Sequence, residues 1–333
     1  MIRFLLSALL LIMAAPVAAE WHRDSQDIMG TKIDVVLWHE DETAAAEALD
    51  LVMDEMHRIN AHYSPYLLDS DLSLINRLAP KASASDPVFI SKEMALLLDK
   101  SLYYSRITEG AFDITFASLG RYYDYRAEET PSDTQRQELL PAIDYRLVHL
   151  DALQPSVYFG RPEVHIDLGG IAKGYAVDRA LALLSDAGIE HASVSAGGDT
   201  GLIGDRRGRP WMVGIKNPRA PEQVAIVLPL EQGAISTSGD YERYFIDSDG
   251  KRVHHIINPS KGTSASGVAS ASVIGPNAVD TDALSTSVFV LGVDKGLALL
   301  ESLPGYDGVI ISSAGKVHYS SGLQPPEELQ SEQ

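Results

Sequence analysis

The chain has 333 residues, a formal net charge of −19 and no cysteine. These facts exclude disulfides, a thiolate nucleophile, a cysteine-held metal and a cysteine-linked lipid anchor, and the acidic balance argues against nucleic acid and anionic lipid surfaces as partners. The length suffices for one large domain or two lobes with a real core, and an acidic protein that handles phosphates needs a metal ion to bridge the like charges.

Residues 1–19, MIRFLLSALLLIMAAPVAA, read as a cleaved secretory signal, with one Arg, an apolar run and small residues at Val17-Ala18-Ala19. The run is too short and wrongly flanked for a stable membrane span. Cleavage after about Ala19 removes Arg3, takes the charge from −19 to −20 and implies a soluble protein of a bacterial periplasm. TKIDVVLW, 31–38, reads as a strand, and 42–59 is an amphipathic helix with Ala45, Leu49, Val52, Met53 and Met56 on one face. YSPYLLDSDLSLINR, 63–77, reads as a loop. Ser91 is placed to cap a helix that runs to about Glu109 and closes at Gly110. Residues 121–146 are polar without core periodicity, a surface excursion.

In VHIDLGGIAKGYAVDRA, 164–180, Val164, Ile166 and Leu168 alternate with His165 and Asp167 as a short strand. From Ala172 the apolar residues fall on helical spacing, and Gly188 stands where a C-cap glycine belongs. Such a strand–glycine turn–helix joint aims N–H groups and a helix N-terminus at an anion. It is not a phosphate loop, because Lys173-Gly174 is the reverse of the required Gly-Lys, and it does not supply G-x-G-x-x-G either. A structural turn and an anion site both stay open on spacing alone. Asp167 reads equally as a turn-stabilising residue or a site carboxylate, and Lys173, poorly matched to a helix start, favours a role with an anion.

Downstream come short strands and tight turns, with hairpins at Asp249-Gly250 and Ala314-Gly315, a helix near Thr281–Leu291, and a polar tail at 324–333. There are no repeats and no linker between independent domains. Strands and helices mix without strict alternation, which predicts an α+β fold with mixed or antiparallel sheets flanked by helices.

Four stretches put small or polar residues where a packed core would not want them. GAFDITFASL places Asp113 and Thr115 on one side of an extended segment, and SVSAGGDTGL ends a strand in Gly197-Gly198-Asp199. ISTSGDYERYF puts Thr237, Ser238, Gly239 and Asp240 just before a strand. VDTDALSTSVFVLG opens a helix with Asp280 and Asp282, followed by Ser285 and Thr286. Asp282 and Thr286, four apart, share a helix face and can offer two oxygens to Mg²⁺. The competing reading is N-capping by Asp280 and Asp282. Of His254 and His255, strand alternation lets only one reach a given site. No G-x-S-x-G elbow supports a serine nucleophile.

MGT (29–31), YSPYLLDSDLSLIN, GAFDIT, DLGGIAKGYAVDRA, SAGGD, TSGDYERYF, HHIINPSKG and DALSTSVFVLG follow in this order over nearly the whole mature chain. The series resembles the ApbE family, the FAD:protein FMN transferases. The resemblance implies one ApbE-like transferase domain over 20–323, related to T-folds, with two lobes and a flavin site in the cleft. It implies that Met29, Tyr66, Asp113, Gly169, Gly170 and Lys173 bind the flavin nucleotide, together with Gly198, Asp199, Thr237, Ser238, Gly239, Asp240 and His255. Mg²⁺ is then held by Asp282, Thr286 and a backbone carbonyl near Ala172, with His255 and Asp282 as catalytic residues. The implied reaction transfers FMN from FAD to a Thr or Ser hydroxyl of an acceptor protein, a subunit of a membrane redox complex, and releases AMP. Asn258 stands where the family usually has Asp, Ser195 where Asn is common, and Asp71 where Glu is common. A binding-only flavin carrier and a metal-dependent FAD pyrophosphatase are the alternative classes.

Overall fold

The computed structural model describes residues 20–323. The expected signal at 1–19 and the polar tail at 324–333 lie outside the described residues.

Ile33, Val35 and Leu37 are fully buried and alternate with more exposed neighbours, so TKIDVVLW forms β2 (Thr31–His39) with one face in the core. It pairs antiparallel with β1 (Glu20–Ile28) through a two-residue turn. Met29 (φ 58°) and Gly30 (φ 70°) both take left-handed backbone there, as the right-handed twist of a hairpin demands. Six more strands complete the sheet: β3 (Ala192–Ala196), β4 (Asp199–Ile203), β5 (Gly233–Gly239), β6 (Val268–Gly275), β7 (Asp307–Ser312) and β8 (Val317–Tyr319). Spatial order follows chain order and every pairing is antiparallel, so the sheet is one meander carrying long insertions.

Four helices matter most for the site: α1 (Glu42–Tyr63), α2 (Lys92–Ile107), α3 (Ala172–Asp186) and α4 (Ala278–Leu291). Asp41 caps α1 by accepting from the Thr43 and Ala44 amides, and Ser91 caps α2 by accepting from Met94. Their apolar faces join the inner face of the sheet in one main core that includes Met56, Leu98, Val177, Val273 and Phe289. Each such side chain, removed from water, contributes about 1.5–3 kcal/mol. The hairpin Trp211–Asn217/Ala220–Leu230 covers the other face, where Ile215 meets Ile235, Val309 and Ile311. No helix among the described residues is long and apolar enough to cross a membrane.

Three local expectations need correction and a fourth is refined. The segment 63–77 is not all loop: Ser70 accepts from the Ser73 amide and starts a helix, Asp71–Leu78, whose Leu72 and Ile75 are buried. Residues 164–168 keep the alternating burial of a strand but pair with none. Side chains take over the ladder, since the Ile166 N–H donates to Asn76 Oδ1 and Asn76 Nδ2 donates back to the Ile166 carbonyl, both at 2.8 Å. The Asp113–Thr115 stretch is a 3₁₀ turn capped by Asp113, not an extended segment. Thr237, Ser238 and Gly239 themselves end strand β5, and the expected strand follows at Tyr244–Ile246.

Candidate active site

The turns β1–β2 (Met29-Gly30) and β3–β4 (Gly197-Gly198) and the end of β5 lie at one end of the sheet, as the antiparallel registers require. Helices α3 and α4 meet beside them, and Gly174 sets how closely. A Cβ at Gly174 would lie 2.2 Å from the Ala278 carbonyl oxygen and 2.8 Å from Asp282 Cβ, so only glycine fits. The close approach lets the Gly174 N–H donate to Asp282 Oδ2 at 3.0 Å.

Lys173 then reaches into the joint. Its Nζ lies 2.9 Å from Asp199 Oδ2 and 3.4 Å from Asp282 Oδ2, and it donates to the Gly169 carbonyl at 3.1 Å. Burial opposes the ammonium charge, but the two carboxylates outweigh it and hold Lys173 above the usual lysine range. Asp282 is pushed up to about 7, first by burial and then by the negative charge of Asp199. Asp199 Oδ2 is buried and, although close to Lys173, has no hydrogen bond of good geometry. Two buried carboxylates thus share one ammonium. The site is short of positive charge.

Thr286 stands one helical turn beyond Asp282 on the same face of α4. Its hydroxyl lies 3.2 Å from Ser238 Oγ at the end of β5. A Cβ on Gly170 would meet Thr286 Oγ1 at 3.4 Å, so the glycine turn runs directly past that hydroxyl. Asp282 is not an N-cap. Asn277 caps α4 by accepting from the Asp280 amide, and Asp178 on α3 accepts from the Ala278 and Val279 amides at 2.7 and 2.8 Å. Asp280 turns away to Lys100 and Tyr306.

These groups fit a hard divalent cation. Asp282 and Thr286 are oxygen donors of the kind Mg²⁺ takes, and the buried Asp199 carboxylate, whose one nearby cation is the Lys173 it shares with Asp282, adds to the demand for positive charge. No cluster of three His, Asp or Glu suited to a metal occurs among the described residues.

The two histidines have different surroundings, and the short strand Arg252–His254 includes only the first of them. His254 is 3 % exposed and faces the core, its Nε2 2.9 Å from the Ala265 carbonyl and its ring edge-on to Phe289. His255, one residue beyond that strand, has a buried Nδ1 with no hydrogen-bond partner among the described residues. Burial pushes its pKa down to about 3, and the charges of Arg243 and Lys173 add to the effect, so the ring is a neutral acceptor.

The remaining candidates sort by what they touch. Asp167 accepts from the Gly169 amide at 2.6 Å and holds the glycine turn, while burial pushes its pKa up. Gly198 has no room for a Cβ, which would fall 2.5 Å from the Thr237 carbonyl oxygen, and the Thr237 amide donates to the Gly198 carbonyl. Gly239 closes the end of β5, and Met29 sits in the strained turn of β1–β2. Tyr66 is 78 % exposed on the loop after α1. Asp113 and Asp240 both carry internal partners: Asp113 accepts from Thr115 and from the Tyr145 amide, and Asp240 takes a two-pronged bond from Arg219 at 2.7 and 2.9 Å. The three departures are held locally, with Asp71 on His62, Ser195 on Thr200 and Asn258 accepting from Ser260. Sequence reasoning did not single out Asp178, Asn76 or Arg243, whose partners lie on distant segments. The groove of about 680 Å³ between α2 and the small sheet carrying Phe89, His149 and Tyr158 shares no residue with this site.

The ApbE family model matches residues 29–310. The chain belongs to the ApbE family. It is 30 % identical over 333 residues to the FAD:protein FMN transferase of Vibrio cholerae, covering 96 % of this chain and 97 % of that one. It is 33 % identical to the Treponema pallidum protein of the same name, covering 77 % and 74 % of the two chains. Among solved structures, the ApbE protein of Thermotoga maritima superposes with a TM-score of 0.82 at 32 % identity, covering 91 % of this chain and 98 % of that one. The Vibrio cholerae flavin transferase ApbE superposes with a TM-score of 0.78 at 27 % identity, with the same coverage. The α+β architecture expected from the ApbE resemblance is therefore the architecture found, and the enzyme class, transferase, is the one the curated relatives carry.

Proposed function

We propose that this ApbE-family chain transfers FMN from FAD to a Thr or Ser hydroxyl of an acceptor protein, in a Mg²⁺-dependent reaction that releases AMP. The observation that carries the reading is the joint of α3 and α4, where Asp282, Asp199 and Lys173 meet beside Thr286 and the Gly169-Gly170 turn. That joint joins a cation demand to backbone N–H groups at a helix start, the two things a pyrophosphate needs.

Asp282, Thr286 and the carbonyl near Ala172 would hold Mg²⁺, which supplies charge neutralisation of the phosphates when bound. Phosphoryl-type transfer needs alignment and neutralised charge more than covalent help, and rigid elements rather than loops carry these groups. Lys173 balances the carboxylates, and the Gly174 amide keeps Asp282 oriented. His255 is the base: its free Nδ1 takes the proton of the acceptor hydroxyl as that oxygen bonds to the FMN phosphorus and the bond to AMP breaks. A pyrophosphate dianion beside the ring would raise its basicity. Thr237, Ser238 and Gly198 line the path of the nucleotide, and Tyr66 offers a ring at the rim. The acceptor is a membrane redox-complex subunit, met in the periplasm after removal of residues 1–19; N-terminal sequencing of a periplasmic fraction that finds an intact Met1 overturns the export.

Incubation with FAD, Mg²⁺ and an acceptor segment tests the reaction. AMP with flavin fixed on the acceptor supports transfer. AMP with free FMN makes the enzyme a pyrophosphatase, and no AMP makes it a carrier.

A further inference from the structure

The site holds three carboxylates, Asp167, Asp199 and Asp282, and its buried ammonium, Lys173, is already shared between two of them. A substrate pyrophosphate therefore meets a centre whose inner cation is spent. At the rim stands Arg243, exposed, on the connection after β5. Its guanidinium makes one long hydrogen bond among the described residues, from Nη2 to the Gly30 carbonyl at 3.5 Å, and pairs with no carboxylate there. The glycine at position 30 leaves the space, since a Cβ would lie 3.2 Å from that Nη2. The backbone of Arg243 is tied to the site as well, its carbonyl accepting from the His255 amide at 3.1 Å. Arg243 and Lys173 both bear electrostatically on Asp167 and on His255, one from the rim and one from inside.

We propose that Arg243 pairs its two-pronged guanidinium with the phosphate oxygens of the flavin nucleotide and so fixes the pyrophosphate beneath His255. The proposal rests on FAD being the substrate. A planar fork of donors matches phosphate geometry, and the loose tether to Gly30 leaves it free to turn inward. Arg243 is a positioning residue in this assignment; the proton passes to His255.

Calorimetric titration of the wild type, Arg243→Ala and Arg243→Lys with FAD and with riboflavin, at low and moderate salt, tests it. Arg243→Ala weakens FAD by roughly tenfold or more while riboflavin, which has no phosphate, binds as before. The loss shrinks at moderate salt, and Arg243→Lys lies between. Unchanged FAD affinity in Arg243→Ala overturns the proposal, and so does an equal loss for FAD and riboflavin, which marks a structural role at the Gly30 turn. Wild-type protein that binds FAD but releases no AMP when Mg²⁺ and an acceptor segment are supplied overturns the transferase reading instead, and the comparison of the two ligands still judges Arg243.

Discussion

The Gly174 N–H donates to Asp282 Oδ2 at 3.0 Å, and this one bond ties together two stretches of chain 108 residues apart. It exists because α3 and α4 touch backbone to backbone, with no side chain between them at Gly174.

Gly174→Ala follows directly. Its methyl group would fall 2.2 Å from the Ala278 carbonyl oxygen, an atom of helix backbone that cannot swing aside. Overpacking of this kind costs about 1–3 kcal/mol or more, and the helices part just where Asp282 is held. Urea unfolding should show the lost stability and a transfer assay a larger loss of rate; an unchanged midpoint would mean that the helices are not in this contact.

Asp282→Ala separates function from folding. Asp282 is 3 % exposed, and burial first, then the charge of Asp199, push its pKa up to about 7, so its ionised form is disfavoured in the fold. Its removal leaves Lys173 paired with Asp199 at 2.9 Å. It also orphans the Gly174 amide, so the two effects oppose: thermal stability should change by no more than about 1–2 kcal/mol while transfer disappears. Near-normal transfer at saturating Mg²⁺ would refute the ligand role.

The histidines should fail in different ways. His255→Ala should lower the transfer rate by ~10²–10⁴ with FAD affinity largely kept, as loss of a general base does. His254→Ala should leave the rate per folded molecule near normal but cost about 2–4 kcal/mol, since it empties a buried site and orphans the Ala265 carbonyl. Equal rate losses would contradict the different roles given to the two rings by their surroundings.

His165 gives the pH dependence. Burial first, and the charge of Arg121 second, push it down to about 4. The folded state therefore binds its proton less tightly than the unfolded chain, whose His titrates near 6.5. Its contribution is fully present above pH 6.5 and is lost as the pH falls toward 4, amounting to about 2–3 kcal/mol there. His165→Gln should unfold with a flatter pH dependence over that window than the wild type, as measured by denaturant midpoints. Parallel profiles would show that the ring is not buried in the neutral form.

Much of this protein was legible locally. Burial alternation in Ile33, Val35 and Leu37 announced β2, and the positions of Ser91 and Gly110 bracketed α2. Both signals act between neighbours within a turn or a strand, so a single sequence carries them. The eight ordered motifs also sufficed for the family and its fold. Partner choice was not legible in the same way. The alternation at Val164, Ile166 and Leu168 is real, yet the hydrogen bonds of that segment go to Asn76 and Ser118, which lie far away in sequence. Asp113, Asp240 and Asp282 look alike as acidic residues in glycine-rich or small-residue motifs. Only packing decided that the first caps a 3₁₀ turn, the second locks Arg219, and the third meets Lys173 and the Gly174 amide. A carboxylate's role depends on which charge and which amide the fold brings within about 3 Å of it, and that distance is set by contacts between elements that no local pattern records.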